Sequence, residues 1–384
     1  MALHQYHSVC LGILSTLIIF VLSSCSDDNS PPENTYTYTI PTPDDDWETA
    51  DLTDVDLEKS AFETIFDTRD MESLNIHSIL VIKNNTLVLE EYFPGEDIEG
   101  NTFDYDRNTP HEVYSVTKSI TSLLIGIAIE QGVIASIDDE ISAYLPDYSA
   151  LLNTDAKADI TLYDSLTMQT GILWDEFGQA RVDGPTIQFM QADDPISHLF
   201  NLPLASPPGS AFNYNTGISS IMGEIIFNAN GQNVDNFAND NLFSPLNIGD
   251  VTWLQHENGL IFTGTGLRLR PRDMAKIGQL ILNNGTWEGS EIVNGNWLDE
   301  STSTHVTFPG LPASYGYYWW LDEPLLSDGS TTPLIYAAGF GGQNIFVLPE
   351  FEMTVVFTSG NFGTENARIT SEILKKDIIL SLTR

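Results

Sequence analysis

The sequence predicts an α+β fold in which one antiparallel sheet is assembled from both ends of the chain and a block of helices is inserted between the two contributions. Three observations lead there. Near the front, His77–Ile82 and Thr86–Phe93 alternate or run apolar around Asn84-Asn85, residues that tolerate the left-handed conformations of a tight hairpin. Near the back, Tyr315–Leu321, Leu334–Ala338, Asn344–Leu348 and Met353–Ser359 read with period two, as consecutive strands. Between them the apolar spacing is three and four, the period of helices. A helical lobe beside a sheet leaves a cleft, and a site is expected there.

Taken in order, Asp54–Arg69 is expected as a helix with Leu57, Ala61, Ile65 and Phe66 on one side. After the hairpin, Ile120, Leu123, Leu124, Ile127 and Ala128 mark a helix with one buried face, opened near Ser115 and closed at Gly132, which can take the left-handed capping conformation. Ser136–Asp139 leads into a short helix through Ile141, Tyr144 and Leu145 that Pro146 stops. Ile160–Gly171 reads as a second amphipathic helix, with Trp174-Asp175-Glu176 in the loop after it. Gln188–Asn241 is mostly helical with Gly and Pro breaks, and Ser206-Pro207-Pro208-Gly209 makes a rigid turn before Phe212–Gly217. Arg270-Pro271-Arg272-Asp273 starts a helix through Leu282 that Asn283-Asn284-Gly285 closes, and Glu365–Leu382 is the last helix. No internal repeat is visible.

Composition narrows the class. With 384 residues, 42% hydrophobic and 18% charged, the chain can bury a sizeable core. The formal charge of -39, from 54 acidic against 15 basic residues, repels phosphate backbones and excludes nucleic acid as a partner. Val9–Leu22 is apolar over 14 residues, short of the roughly 20 a membrane-spanning helix needs and suited to a signal-peptide core. It ends in Leu22-Ser23-Ser24-Cys25, which resembles a bacterial lipobox, although the segment before it has no Lys or Arg. An ordinary cleaved secretory signal is the alternative. The expected organisation is a signal peptide over residues 1–24, a tether over 25–53 that is lipidated on Cys25, and a catalytic domain over 54–384. This places the protein on the bacterial cell envelope, facing the periplasm or the outside, with the membrane as a partner through the Cys25 anchor. With Cys10 removed no disulfide remains, so packing alone must hold the fold.

The stretch with chemistry is Tyr114-Ser115-Val116-Thr117-Lys118-Ser119 at the start of the buried helix. Ser115 and Lys118 are three apart and share one helical face, so the amine can reach the hydroxyl. A serine needs a base to attack a carbonyl, and a desolvated lysine can serve. Of the seven lysines, only Lys118 has a serine three positions earlier. The same pair also fits a capping serine followed by a solvated lysine. The two readings part on one point: a general base must be neutral part of the time, so the catalytic one requires Lys118 in a dry pocket with no carboxylate bonded to it.

The order of motifs from His77 to the C-terminus resembles the serine β-lactamase-like superfamily of penicillin-recognising enzymes, most closely its esterase and 6-aminohexanoate-dimer hydrolase-like branch. The resemblance rests on Ser115–Ser119, Ile160–Gly171 with Trp174-Asp175-Glu176, Tyr214-Asn215-Thr216-Gly217, Gly266–Asp273 and Gly339-Phe340-Gly341-Gly342-Gln343. It implies a β-lactamase/penicillin-binding-protein-like fold and a serine hydrolase acting on small ester or amide substrates, with no cofactor and no metal. Ser115 would be the nucleophile, Lys118 its base, and Tyr214 the phenol that passes the proton to the leaving group. The oxyanion hole would use the backbone N–H groups of Ser115 and Gln343. Phe340, Gly341 and Gly342 would line the substrate, with Trp174, Asp175 and Glu176 at the mouth, the alternative being a buried Trp174 followed by a solvated acidic pair. Two departures stand out. Thr216 occupies the usual Asn of the second motif unless Asn215 fills it by a shift of one, and Phe340 replaces the Lys or His that opens the third. Losing that cation removes a carboxylate anchor, which favours a neutral or apolar acyl group over a β-lactam. A surface sensor that acylates without turnover, and a true β-lactamase or D,D-peptidase, are the alternatives. His111 is expected to be structural or solvated.

Overall fold

Asn84 and Asn85 both take positive φ, 51° and 62°, and close the expected hairpin between β1 (Ile76–Lys83) and β2 (Thr86–Tyr92). The computed structural model describes residues 36–44, 47–177 and 184–383. The expected signal segment, Cys10 and Cys25 lie outside the described residues. Six later strands complete the main sheet: β3 (Val306–Thr307), β4 (Ser314–Tyr315), β5 (Trp320–Asp322), β6 (Leu334–Gly339), β7 (Gln343–Leu348) and β8 (Met353–Ser359). Their order is β3-β4-β5-β6-β7-β8-β1-β2, antiparallel throughout, so the last strand of the chain pairs with the first.

Alternation sends successive side chains to opposite faces, and both faces are covered. Ile79, Val81, Phe346, Val355 and Phe357 pack with Phe62 and Ile65 of α1 (Lys59–Thr68) and with Ile373, Leu374 and Ile378 of the terminal helical run. Leu80, Ile82, Ile345, Val347 and Val356 belong to the second core, with α2 (Val116–Glu130) and the whole inserted helical region. The buried face expected of α2 widens to nearly its whole circumference, because sheet and helical lobe enclose it.

Several elements depart from the periodicity for identifiable reasons. The first helix begins only at Lys59: Asp51 caps a separate turn, Leu52–Val55, and Asp56 breaks away with φ 60°. Ile160–Gly171 shortens to α3 (Leu162–Leu166), started by a reciprocal Thr161–Asp164 cap. Met168 then turns left-handed (φ 59°), and its carbonyl accepts the Asn213 N–H at 2.7 Å, a tertiary bond that replaces the next helical turn. Tyr315–Leu321 is not one strand. The chain reverses between β4 and β5 at Gly316–Trp319, where Tyr317 N–H bonds to Ser301 O and Tyr318 N–H to Leu166 O. The terminal run starts at Ile369.

Of the segment expected as a tether, the described residues 36–44 and 47–53 pack on the domain. Among the described residues Tyr38 and Trp47 are buried, and the Tyr38 hydroxyl donates to Val88 O at 2.8 Å. Arg272 of α5 (Pro271–Leu282; α4 is Thr216–Ser220) holds this front segment. It donates to Thr42 O (3.0 Å) and Asp44 O (2.8 Å) while forming a two-pronged pair with Glu90, both contacts at 2.6 Å.

Candidate active site

The site is built where α2 begins. Tyr114 is held at φ 46°, costly for a residue with a Cβ, and this kink presents Ser115 at the head of the helix. The N–H groups of Val116, Thr117 and Lys118 bond back to Val113, Tyr114 and Ser115 carbonyls. The Ser115 N–H is left without an acceptor among the described residues. The Ser115 hydroxyl does not cap the helix. It lies 3.0 Å from Lys118 Nζ.

Lys118 is 1% exposed. Its amine also donates to Thr216 Oγ1 (3.1 Å) and to Gly264 O (2.7 Å), and it sits 4.9 Å from the centre of the Tyr214 ring. Burial brings its pKa down to about 8, opposed by the charge of Glu176. Among the described residues no carboxylate is bonded to the amine, so its pocket is dry, and Glu176 is the carboxylate whose charge still reaches it. Gly264 was not singled out from the sequence. A Cβ there would fall 2.5 Å from Ser219 Oγ and 2.7 Å from Thr216 O, so only glycine lets this carbonyl approach.

Tyr214, 8% exposed, precedes α4, and Ser115 lies close enough to act on its phenol. Burial raises its pKa, which keeps the phenol protonated. Its ring stacks on Trp320 (6.1 Å between centroids) and tilts against Phe177 (5.5 Å). The ambiguity of the second motif resolves towards Thr216, which meets Lys118. Asn215 instead caps α4, accepting the Ile218 N–H at 3.0 Å.

Two sequence expectations need correction. Trp174 does not line the mouth: it is 3% exposed, packs edge-on to Phe189 and against Gly217, and donates its Nε1–H to Glu176. Glu176 is not a solvated acid. It accepts the Thr216 hydroxyl (2.9 Å), the Thr216 N–H (3.2 Å) and the Thr186 hydroxyl (2.9 Å). In the β6–β7 hairpin the close approach also differs from expectation. A Cβ on Gly339 would fall 2.2 Å from Val113 O, so Gly339 seats the hairpin on the loop that carries Ser115. Gly341 and Gly342 turn the chain at φ 86° and 96°, and the space beside Gly341 is filled by the Phe362 ring. Phe340 faces Tyr114 and Phe362 edge-on, at 5.5 and 5.3 Å. Gln343 starts β7 opposite Gly339, with its side chain buried against the backbone of Ser359.

His111 lies away from this chemistry. It donates its Nδ1–H to Thr109 O at 3.1 Å, stacks with Tyr105, and is pushed to a pKa of about 3 by burial, hence neutral. Cavities of about 350 Å³, beside Phe243 and Trp253, and about 290 Å³, beside Met190 and Phe262, are not lined by any residue of the Ser115 cluster. Among the described residues no group of three or more His, Cys, Asp or Glu could hold a metal, and no helix is long and apolar enough to cross a membrane.

With this geometry in place, comparison with known proteins adds that residues 71–376 match the family described as Beta-lactamase. The chain belongs to the beta-lactamase family. Members of this family are serine hydrolases. A relative, the 6-aminohexanoate-dimer hydrolase of Paenarthrobacter ureafaciens, is 21% identical over 309 residues, 74% of this chain and 73% of its own. Among solved structures, a candidate 6-aminohexanoate-dimer hydrolase from Bacillus anthracis shares the fold at a TM-score of 0.66, with 22% identity and 80% of each chain covered. A family VIII carboxylesterase does so at 0.63, with 16% identity over 85% of this chain and 95% of its own.

Proposed function

We propose that this beta-lactamase-family hydrolase cleaves an ester or amide of neutral or apolar character through an acyl-enzyme on Ser115. The observation that carries the reading is a buried amine and a buried phenol gathered at one hydroxyl: Lys118 Nζ is 3.0 Å from Ser115 Oγ and 4.9 Å from the Tyr214 ring centre, and Ser115 acts on the Tyr214 phenol. Lys118 takes the Ser115 proton as Oγ attacks the carbonyl carbon. The N–H of Ser115 and one from the 339–343 hairpin, for which Gln343 is the candidate, hold the oxyanion. Tyr214 then protonates the leaving group and is recharged from Lys118. A water molecule attacks the acyl-enzyme by the same route. Rings of Phe340 and Phe362 pack with Tyr114, next to Ser115, and Trp320 stacks on Tyr214, and this apolar neighbourhood supports an apolar or neutral substrate. The relatives' names cover both ester and amide chemistry, so the reading keeps both. The lipobox-like Leu22–Cys25 supports a lipid anchor at the cell envelope.

The test is release of p-nitrophenol from short acyl esters, run beside nitrocefin and a 6-aminohexanoate dimer. Sustained release that Ser115→Ala abolishes without a change in Tm supports the hydrolase. One equivalent per protein points to a sensor, and faster turnover of nitrocefin than of any ester points to a β-lactamase.

A further inference from the structure

Lys118 has three polar neighbours, and their chemistry is unequal. Gly264 O can only accept. Ser115 Oγ must give up its proton if it is to become a nucleophile. Thr216 Oγ1 can do either, because a hydroxyl has one proton and two lone pairs. A neutral amine offers two N–H donors and one lone pair. Its lone pair reaches Ser115 only if both other neighbours accept.

The loop after α3 settles what Thr216 does. Glu176 Oε1 lies 2.9 Å from Thr216 Oγ1, and a carboxylate can only accept. With its single proton committed to Glu176, Thr216 can offer Lys118 nothing but a lone pair. Glu176 is itself held on several sides, by the Trp174 Nε1–H and the Thr186 hydroxyl as well as by the Thr216 N–H. We infer that Glu176 is a positioning residue: through Thr216 it fixes the direction of hydrogen bonding around Lys118 and so aims the amine's lone pair at Ser115. Without it, the Thr216 hydroxyl is free to donate into that lone pair and compete with Ser115. The inference rests on the reading of Lys118 as a base.

The same arrangement lets a threonine serve at the position where the motif this sequence resembles has an asparagine. A carboxamide oxygen accepts whatever its surroundings, whereas a hydroxyl needs a second group to dictate its sense. Among the described residues the titratable groups facing Lys118 are Tyr214, from the segment before α4, and Glu176, from the loop after α3. The Gly264 loop brings only a carbonyl.

The experiment compares Glu176→Gln, Glu176→Ala, Thr216→Asn and the double variant Glu176→Ala/Thr216→Asn in the full domain. Two rates are followed against pH: turnover of p-nitrophenyl butyrate, and covalent labelling of Ser115 by a fluorophosphonate. In Glu176→Ala the high-pH plateau should fall roughly 10- to 100-fold, a part of what a positioned base supplies. Glu176→Gln keeps an acceptor for Thr216 and should stay within about threefold of the wild type. In both, loss of the negative charge should move the rising limb of the profile to lower pH, because that charge favours protonated Lys118. Thr216→Asn should restore most of the plateau lost by Glu176→Ala. An unchanged plateau and limb in Glu176→Ala overturns the inference. So does a lost plateau that Thr216→Asn, active on its own, fails to restore, since Glu176 would then only brace its loop. If Glu176→Ala does not fold or Thr216→Asn is inactive alone, Glu176→Gln decides: a limb at the wild-type pH overturns the inference, and a lowered limb with a near-normal plateau upholds it. Labelling without turnover in the wild type would remove the hydrolase reading, while the labelling rates still decide the role of Glu176.

Discussion

Lys118→Met separates the amine from the fold. Methionine has a similar length and no charge, so the variant keeps the packing and removes the titration. An ordinary lysine titrates near 10.5 and Lys118 near 8, a difference worth about 3 kcal/mol against the charged form. Because the folded value lies below the unfolded one, the unfolded chain binds more protons between these two pH values, and stability rises with pH across that window. Below pH 8 the wild type carries the whole penalty, and above 10.5 none of it. The variant never carries it, but loses bonds to Ser115, Thr216 and Gly264, each worth about 1 kcal/mol at any pH. At pH 7 the two effects nearly cancel, and the variant should unfold within about 1 kcal/mol of the wild type. At pH 10.5 it should be about 3 kcal/mol less stable. Urea unfolding of both proteins, followed by tryptophan fluorescence from pH 7 to 10.5, measures the difference at each pH. A stability difference that stays flat across this range would show that Lys118 titrates as an exposed lysine, and the dry-base argument would fall. The variant should be inactive throughout, while wild-type kcat/KM should drop about tenfold per pH unit below 8.

Tyr214→Phe should lower kcat by about 10²-fold on amides while leaving Tm unchanged. It should cost much less on p-nitrophenyl esters, whose leaving group needs no proton; equal losses on both would place Tyr214 elsewhere in the cycle. Gly339→Ala drives a Cβ to 2.2 Å from Val113 O, backbone against backbone. It should destabilise by about 1–3 kcal/mol and depress turnover, because Val113 stands two residues before Ser115, and wild-type kcat in a folded variant would contradict that coupling. Arg272→Met removes the two-pronged partner of the Glu90 carboxylate, 2% exposed, and leaves it the longer contact to Arg107 at 3.5 Å. Urea unfolding should register about 3–5 kcal/mol of lost stability, partly recovered by adding Glu90→Gln; a neutral Arg272→Met would mean the pair contributes nothing.

What was legible in the sequence was local. The Asn84-Asn85 turn, the period-two strands and the i,i+3 relation of Ser115 and Lys118 each depend on residues that are neighbours on one element. The pattern determined the sheet built from both chain ends, the helix that Ser115 opens and the candidate pair of hydroxyl and amine. Whether that amine is dry, and which way its hydrogen bonds run, depended on groups 98 and 146 residues further along, at Thr216 and Gly264. The burial of Trp174, the approach of Glu176, the left-handed Tyr114 and the reversal at Gly316–Trp319 were decided in the same way. Spacing along a chain says which side chains share a face. Dehydration and the sense of a hydrogen bond belong to the space several segments enclose together, and only the assembled structure defines it.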